Sequence, residues 1–161
     1  MRGWKTRGLR ILSRAVLAFV CILVCGEMAA AHDVALVVGK SSRVKGMKAA
    51  DLAKMIKSTH KWPDGQELII VLTDPSSLEM RIVAQKLLSL TGDEFKQLIA
   101  ATNKSKMTFW VVSSDDEALK LVQGNTSAIG LVNVYSINSN VQVLKIEGML
   151  PLEFGYVLHS Q

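Results

Sequence analysis

The chain has 161 residues, 49% of them hydrophobic and 20% charged, with only three prolines; this excludes an intrinsically disordered or low-complexity protein and predicts one folded domain. Its formal charge is +5, but Arg2, Lys5, Arg7, Arg10 and Arg14 all lie at the start, and from His32 on the net charge is only +1. A nearly neutral body without interleaved basic and aromatic residues gives no support to nucleic-acid binding.

The basic start runs into the apolar stretch AVLAFVCILVC (15–25) and then Ala29-Ala30-Ala31. That order of charged, apolar and small residues predicts a secretory signal peptide over 1–31, cleaved after Ala31, and a mature domain over 32–161. A membrane-spanning helix needs roughly twenty apolar residues, so an uncleaved N-terminal anchor is the alternative. Both cysteines, Cys21 and Cys25, fall in this segment, and the mature chain would carry no thiol for a disulfide, a metal or nucleophilic attack. Val20 and Val24 stand where a lipoprotein needs a small residue. An exported chain without disulfides fits the bacterial periplasm.

Asp33–Gly39 (DVALVVG) reads as a buried strand, and Met47–Lys57 sets Leu52, Met55 and Ile56 on one helical stripe. The Pro-Asp-Gly turn at 63–65 precedes a second strand, Leu68–Leu72. Ser76-Ser77-Leu78-Glu79 predicts a capping box with Ser76 at the N-cap, opening a helix with Met80, Val83, Ala84, Leu87 and Leu88 on its apolar face. A shorter helix carries Phe95, Leu98 and Ile99; a strand follows over 107–112. Ser114 and Glu117 predict a second capping box for a helix with Ala118, Leu121 and Val122 inside. The last third, at 128–132, 141–146 and 155–158, reads as strands. Strands alternating with helices predict an α/β domain with a mixed sheet flanked by helices.

No nucleophile elbow, phosphate loop, dinucleotide fingerprint or zinc-binding His pair is present, and nothing calls for a cofactor or a metal. Asp74, Ser77 and His60 supply the residue types of a hydrolytic triad, but no spacing requires one. Asp115-Asp116-Glu117 reads as first-turn acids that complement a helix dipole.

In chain order, VALVVG, KAADLAKMI, KWPDGQELIIVLTDPSSLEMR, SDDEALKLVQGNTSAIGLV and VQVLKIEG resemble the phosphate-type periplasmic substrate-binding proteins of ABC importers, and the similarity covers most of 33–158. The resemblance implies a periplasmic-binding-protein-like fold of the second type, no catalysis, a phosphate-like oxyanion as ligand and an envelope or transporter protein as partner. Full members of that family have two lobes and about twice this length, so the chain corresponds to a single lobe. The family's Ser-Gly-Thr with an upstream arginine is replaced here by Thr73-Asp74-Pro75-Ser76-Ser77-Leu78.

Free backbone N–H groups and a partial positive charge at a helix start, with serine hydroxyls beside them, suit a tetrahedral oxyanion at Ser76 and Ser77. Arg81, one turn on, supplies charge, while Glu79 would oppose an anion. The loop after the first strand, with Lys40 and Ser41 followed by Arg43, Lys45 and Lys48, is a second candidate contact. Trp62 and Trp110 read either as ligand stackers or as core and rim packing. The expected function is oxyanion recognition or accessory service in a phosphate-type uptake system; the alternative is an envelope interaction module that keeps the fold without the ligand.

Overall fold

The computed structural model describes residues 32–160, so the expected signal peptide with Cys21 and Cys25 lies outside the described residues. Strand β1 (Val34–Gly39) is buried along its whole length. Its even-numbered residues Val34, Leu36 and Val38 enter one core and its odd-numbered Ala35 and Val37 another, as the two-residue period of a strand covered on both faces requires. Short β2 (Gly46–Met47) precedes helix α1 (Ala49–Lys54), which continues as a π-helical turn over Met55–Thr59. His60 closes that turn in the left-handed region, φ 48°, and its Nε2–H donates to the Ile56 carbonyl at 3.0 Å, which holds its ring in place.

Strand β3 (Ile69–Leu72) leads to α2 (Leu78–Ile82), itself extended by a π-helical turn over Val83–Leu87. Next come α3 (Gly92–Ser105), β4 (Phe109–Val111), α4 (Asp115–Gly124) and β5 (Ala128–Asn133). The chain ends with β6 (Val141–Val143), β7 (Lys145–Ile146) and a series of turns. The main sheet runs in the order β4-β3-β5-β1-β6. Strands β4, β3 and β5 are parallel, whereas β1 is antiparallel to both β5 and β6. A small parallel ribbon pairs β2 with β7.

The helices cover the sheet unequally. Leu52 and Ile56 of α1, Met80 of α2 and Phe95 of α3 pack with Leu36, Ile70 and Leu131 on one face. On the other face α4 is the one helix among the described residues that covers the core, setting Ala118, Leu119 and Val122 over Val37 and Val71. Gly130 in β5 makes this approach possible: a Cβ there would lie 2.9 Å from the Val122 Cγ2 and 2.9 Å from the Val37 Cγ2. The described residues fall within one compact unit, and the members of both cores lie between Val34 and Leu158.

Several local expectations are corrected. Residues 155–158 form turns, not a strand. Their apolar side chains are nevertheless buried, because Tyr156 and Leu158 enter the larger core and the Leu158 carbonyl accepts from the Val34 N–H at 3.1 Å. The run 141–146 is broken at Leu144, whose N–H donates to the Leu36 carbonyl before the chain turns to pair with β2. Ser77, not Ser76, is the N-cap of α2, its hydroxyl accepting from the Met80 N–H at 3.2 Å. Ser76 precedes the helix, its N–H donating to the Asp74 carboxylate at 2.8 Å in an Asx turn. Ser114 does cap α4, but the Glu117 carboxylate accepts from the N–H and hydroxyl of Ser113 instead of returning to the cap. The complete capping box is Thr91 with Glu94 at the start of α3.

Candidate functional site

The loop leaving β3 opens at the carboxyl end of the three parallel strands, the usual ligand side of such sheets. A cleft of about 320 Å³ lies there, bounded by Pro75 and Ser76 of the loop, Arg81 of α2, and Thr91, Gly92, Asp93 and Lys96 at the start of α3. Small Gly92 leaves room for the Arg81 stem, whose Cγ would be 3.6 Å from a Cβ at that position. Lys96 pairs loosely with Asp93 at 3.5 Å, and none of the ion pairs among the described residues engages Arg81. Two cations and the Ser76 hydroxyl thus meet on one open cleft, with one carboxylate partly offsetting them, while the Thr91 hydroxyl is engaged in its capping box with Glu94.

Of the five sequence-predicted residues, Ser76 and Arg81 line this cleft together. Ser77 stands next to it with its hydroxyl committed to the helix cap. Lys40 and Ser41 are at the other end of the sheet. Because β1 runs against β3 and β5, its C-terminal end lies beside the amino ends of those strands, roughly 20 Å away for a six-residue strand. Ser41 there lines a separate cleft of about 460 Å³ with Arg43, Trp62 and Asp64. One small anion cannot touch both groups.

Glu79 turns away from the Ser76 cleft. Its carboxylate accepts from Asn133 Nδ2 at 3.2 Å and meets His32 Nδ1 at 2.9 Å. Burial pushes its carboxyl up, but hydrogen bonds from His32, its own N–H and Asn133 outweigh this and hold it below the ordinary value of 4.5. A lowered folded-state value stabilises the domain above about pH 4.5 and loses that effect as Glu79 is protonated. Glu79→Gln is therefore expected to destabilise the domain by about 1 kcal/mol at pH 7, an effect that fades as the pH falls through the lowered value of the Glu79 carboxyl; chemical denaturation across the acid range checks this.

The triad reading is overturned by place. The His60 carbonyl accepts from Leu68 N–H at the entry to β3, whereas Asp74 and Ser77 follow its exit. Among the acids at the start of α4, Asp115 accepts from Asn133 N–H at 3.1 Å and the Ser136 hydroxyl at 2.7 Å. Among the described residues no group of three or more potential metal-ligating side chains forms, and no helix is long and apolar enough to cross a membrane. Trp62 is buried with its Nε1 donating to the Ser127 carbonyl at 3.0 Å, and half-buried Trp110 donates to the Met107 carbonyl; both indoles are held by the structure.

Sequence reasoning missed the buried pair that joins the two ends of the domain. Asp33 is fully buried, meets His159 Nδ1 at 2.7 Å and accepts from the Ser160 N–H at 2.9 Å. It also missed Thr91, although the Thr-x-x-Glu signature of a capping box was legible at 91–94.

No family model and no curated protein matches the sequence. The fold does match solved structures. An ABC-type phosphate transport receptor from Vibrio cholerae superimposes with a TM-score of 0.62 at 20% identity, over 80% of this chain and 54% of that one. PstS from Borrelia burgdorferi gives 0.64 at 14% identity, over 81% and 55%. The chain spans about half the length of these structures. The described domain therefore shares the fold of about half of each of these structures, a mixed sheet flanked by helices.

Proposed function

We propose that the chain is an exported, non-enzymatic binding protein of the phosphate ABC-transporter type, released by cleavage after Ala31 and taking a phosphate-like oxyanion at the Ser76–Arg81 cleft. The observation that carries this reading is the convergence of Ser76, Arg81 and Lys96 on one cleft at the carboxyl end of β3, in a fold shared with phosphate transport proteins. A structure from Clostridium perfringens that contains bound phosphate also matches, with a TM-score of 0.59 at 17% identity, over 74% of this chain and 46% of that one. Ser76 and Arg81 are assigned as contacts and Ser77 as the residue that fixes the helix start; Lys40 and Ser41 lie outside this cleft.

A single lobe leaves one side of the anion in water, where a few charge-assisted hydrogen bonds give about 4–6 kcal/mol, a Kd in the high micromolar to millimolar range. Arg81→Ala is expected to weaken binding about tenfold, and added salt to weaken it further. Calorimetric titration of the exported protein with phosphate, sulfate and molybdate tests the reading, and the intact mass of the same preparation reports whether it begins at His32. No heat with any of the three anions would remove the ligand assignment.

A second reading, an envelope interaction module without a ligand, is favoured by one contact. The Asp74 carboxylate already occupies the Ser76 N–H, as an anion in the cleft would.

A further inference from the structure

At the end of the domain remote from the Ser76 cleft, a groove of about 700 Å³ runs between the β2 segment and the turn at Trp62–Gly65. Its floor includes Val44, Met47, Met55 and Trp62, and its rim carries Lys48, Lys54 and Lys61 against the single acid Asp51. Directly after β7, residues 147–154 (EGMLPLEF) contain two acids and no base; the Glu147 carboxylate accepts from the Ala49 N–H at 2.7 Å, and both carboxylates keep their negative charge. Phe154 stands free at 104% relative exposure and Leu152 at 57%.

This projection is held rigid. The Glu153 carboxylate accepts from the Leu150 N–H at 2.7 Å, and the Glu153 carbonyl accepts from the Tyr156 N–H at 3.1 Å. Tyr156 is anchored in the core immediately beyond Phe154, and Leu152 is kept in the left-handed region at φ 71°. A large aromatic side chain exposed on an ordered turn is the form of an interface anchor, because little freedom is lost when it docks.

We propose that the Leu152–Phe154 projection of one copy of this chain seats in the basic-rimmed groove of a second copy. The apolar knob fits the apolar floor, and the acids of 147–154 meet the lysines of the rim. Knob and groove both adjoin one ribbon: Gly46 and Met47 line the groove, residues 147–154 follow β7, and the Glu147 N–H donates to the Met47 carbonyl at 3.1 Å. A two-fold axis beside that ribbon brings each knob to the other groove and uses both at once. The Ser76 cleft at the opposite end stays open, so this association is independent of anion binding.

Sedimentation velocity on residues 32–161, from about 5 to about 500 µM, tests the proposal over the range expected of a small interface. A concentration-dependent dimer is expected. Phe154→Ser is expected to weaken it at least tenfold, about the loss of one anchor residue, with the melting curve unchanged because the side chain touches no core. Lys54→Glu combined with Lys61→Glu is expected to weaken it as well, and raised salt to act in the same direction. A monomer throughout this range overturns the proposal, as does a dimer indifferent to Phe154→Ser. A monomer that instead adsorbs to phosphatidylglycerol vesicles through Phe154 overturns it too and reassigns the projection to a lipid surface.

Discussion

Deletion of residues 155–161 is expected to leave the domain largely unfolded at room temperature. The segment has no regular secondary structure, yet Leu158 is fully buried and Tyr156 nearly so. Truncating a buried leucine costs about 2–5 kcal/mol and a buried aromatic about 3–5, and the deletion also removes the hydrogen bond from Val34 N–H to the Leu158 carbonyl. Asp33 would also lose its contacts with His159 and the Ser160 N–H, a further cost. The sum is comparable with the entire stability of a domain, about 5–15 kcal/mol. Leu158→Ala alone should keep a cooperative transition at a lower midpoint. Thermal unfolding followed by circular dichroism separates the two, and an unchanged midpoint for the deletion would show the tail to be dispensable.

Gly130→Val is expected to be nearly as damaging, by about 3 kcal/mol or more. The first added carbon already falls 2.9 Å from the methyls of Val122 and Val37, and β-branching adds two carbons where none fit. Those neighbours are themselves stiff β-branched side chains fixed between α4 and the sheet, so relief requires α4 to move outward. Since α4 is the sole helix over that core among the described residues, its displacement exposes Ala118, Leu119 and Val71 together. Denaturant titration reads the loss directly. A glycine followed only by apolar residues in AIGLV gave no hint of this from the sequence, because the contact joins β1, α4 and β5 across distant parts of the chain.

Much of the fold was legible because its strands are covered on both sides. Continuous apolar runs such as VALVVG and LIIVL can scarcely be anything but interior strands, and the stripes of α2, α3 and α4 follow the 3.6-residue period. The direction of β1 was not legible. Composition is blind to whether a buried strand runs with or against its neighbours, and that direction alone separates Lys40 and Ser41 from Ser76 and Arg81. Residues 155–158 were misread for a related reason: Tyr156 and Leu158 alternate with exposed neighbours as a strand would, but they are held by core packing and not by a ladder.

The candidate site was legible in part. A serine-rich helix start marked its place, but the cap falls one residue later, at Ser77. Ser76 precedes the helix, with its N–H donating to the Asp74 carboxylate. The far wall of the cleft, Thr91 to Lys96, comes from α3 and is joined to Ser76 only by the way α2 and α3 fold back on the sheet. Glu79 lay close to the cap in sequence and was expected to oppose an anion. Its hydrogen bonds to His32 and Asn133 direct that charge elsewhere.

The most direct test of anion recognition at the Ser76–Arg81 cleft is a titration of isotope-labelled residues 32–161 with phosphate, followed through the backbone amide resonances. The account predicts saturable shifts at Ser76, Thr91 and Gly92 with a midpoint in the high micromolar to millimolar range, reduced by Arg81→Ala, while Lys40 and Ser41 stay still. Unmoved amides at all three residues up to tens of millimolar phosphate, about the weakest affinity that arithmetic allows, would contradict it, as would shifts confined to Lys40–Arg43.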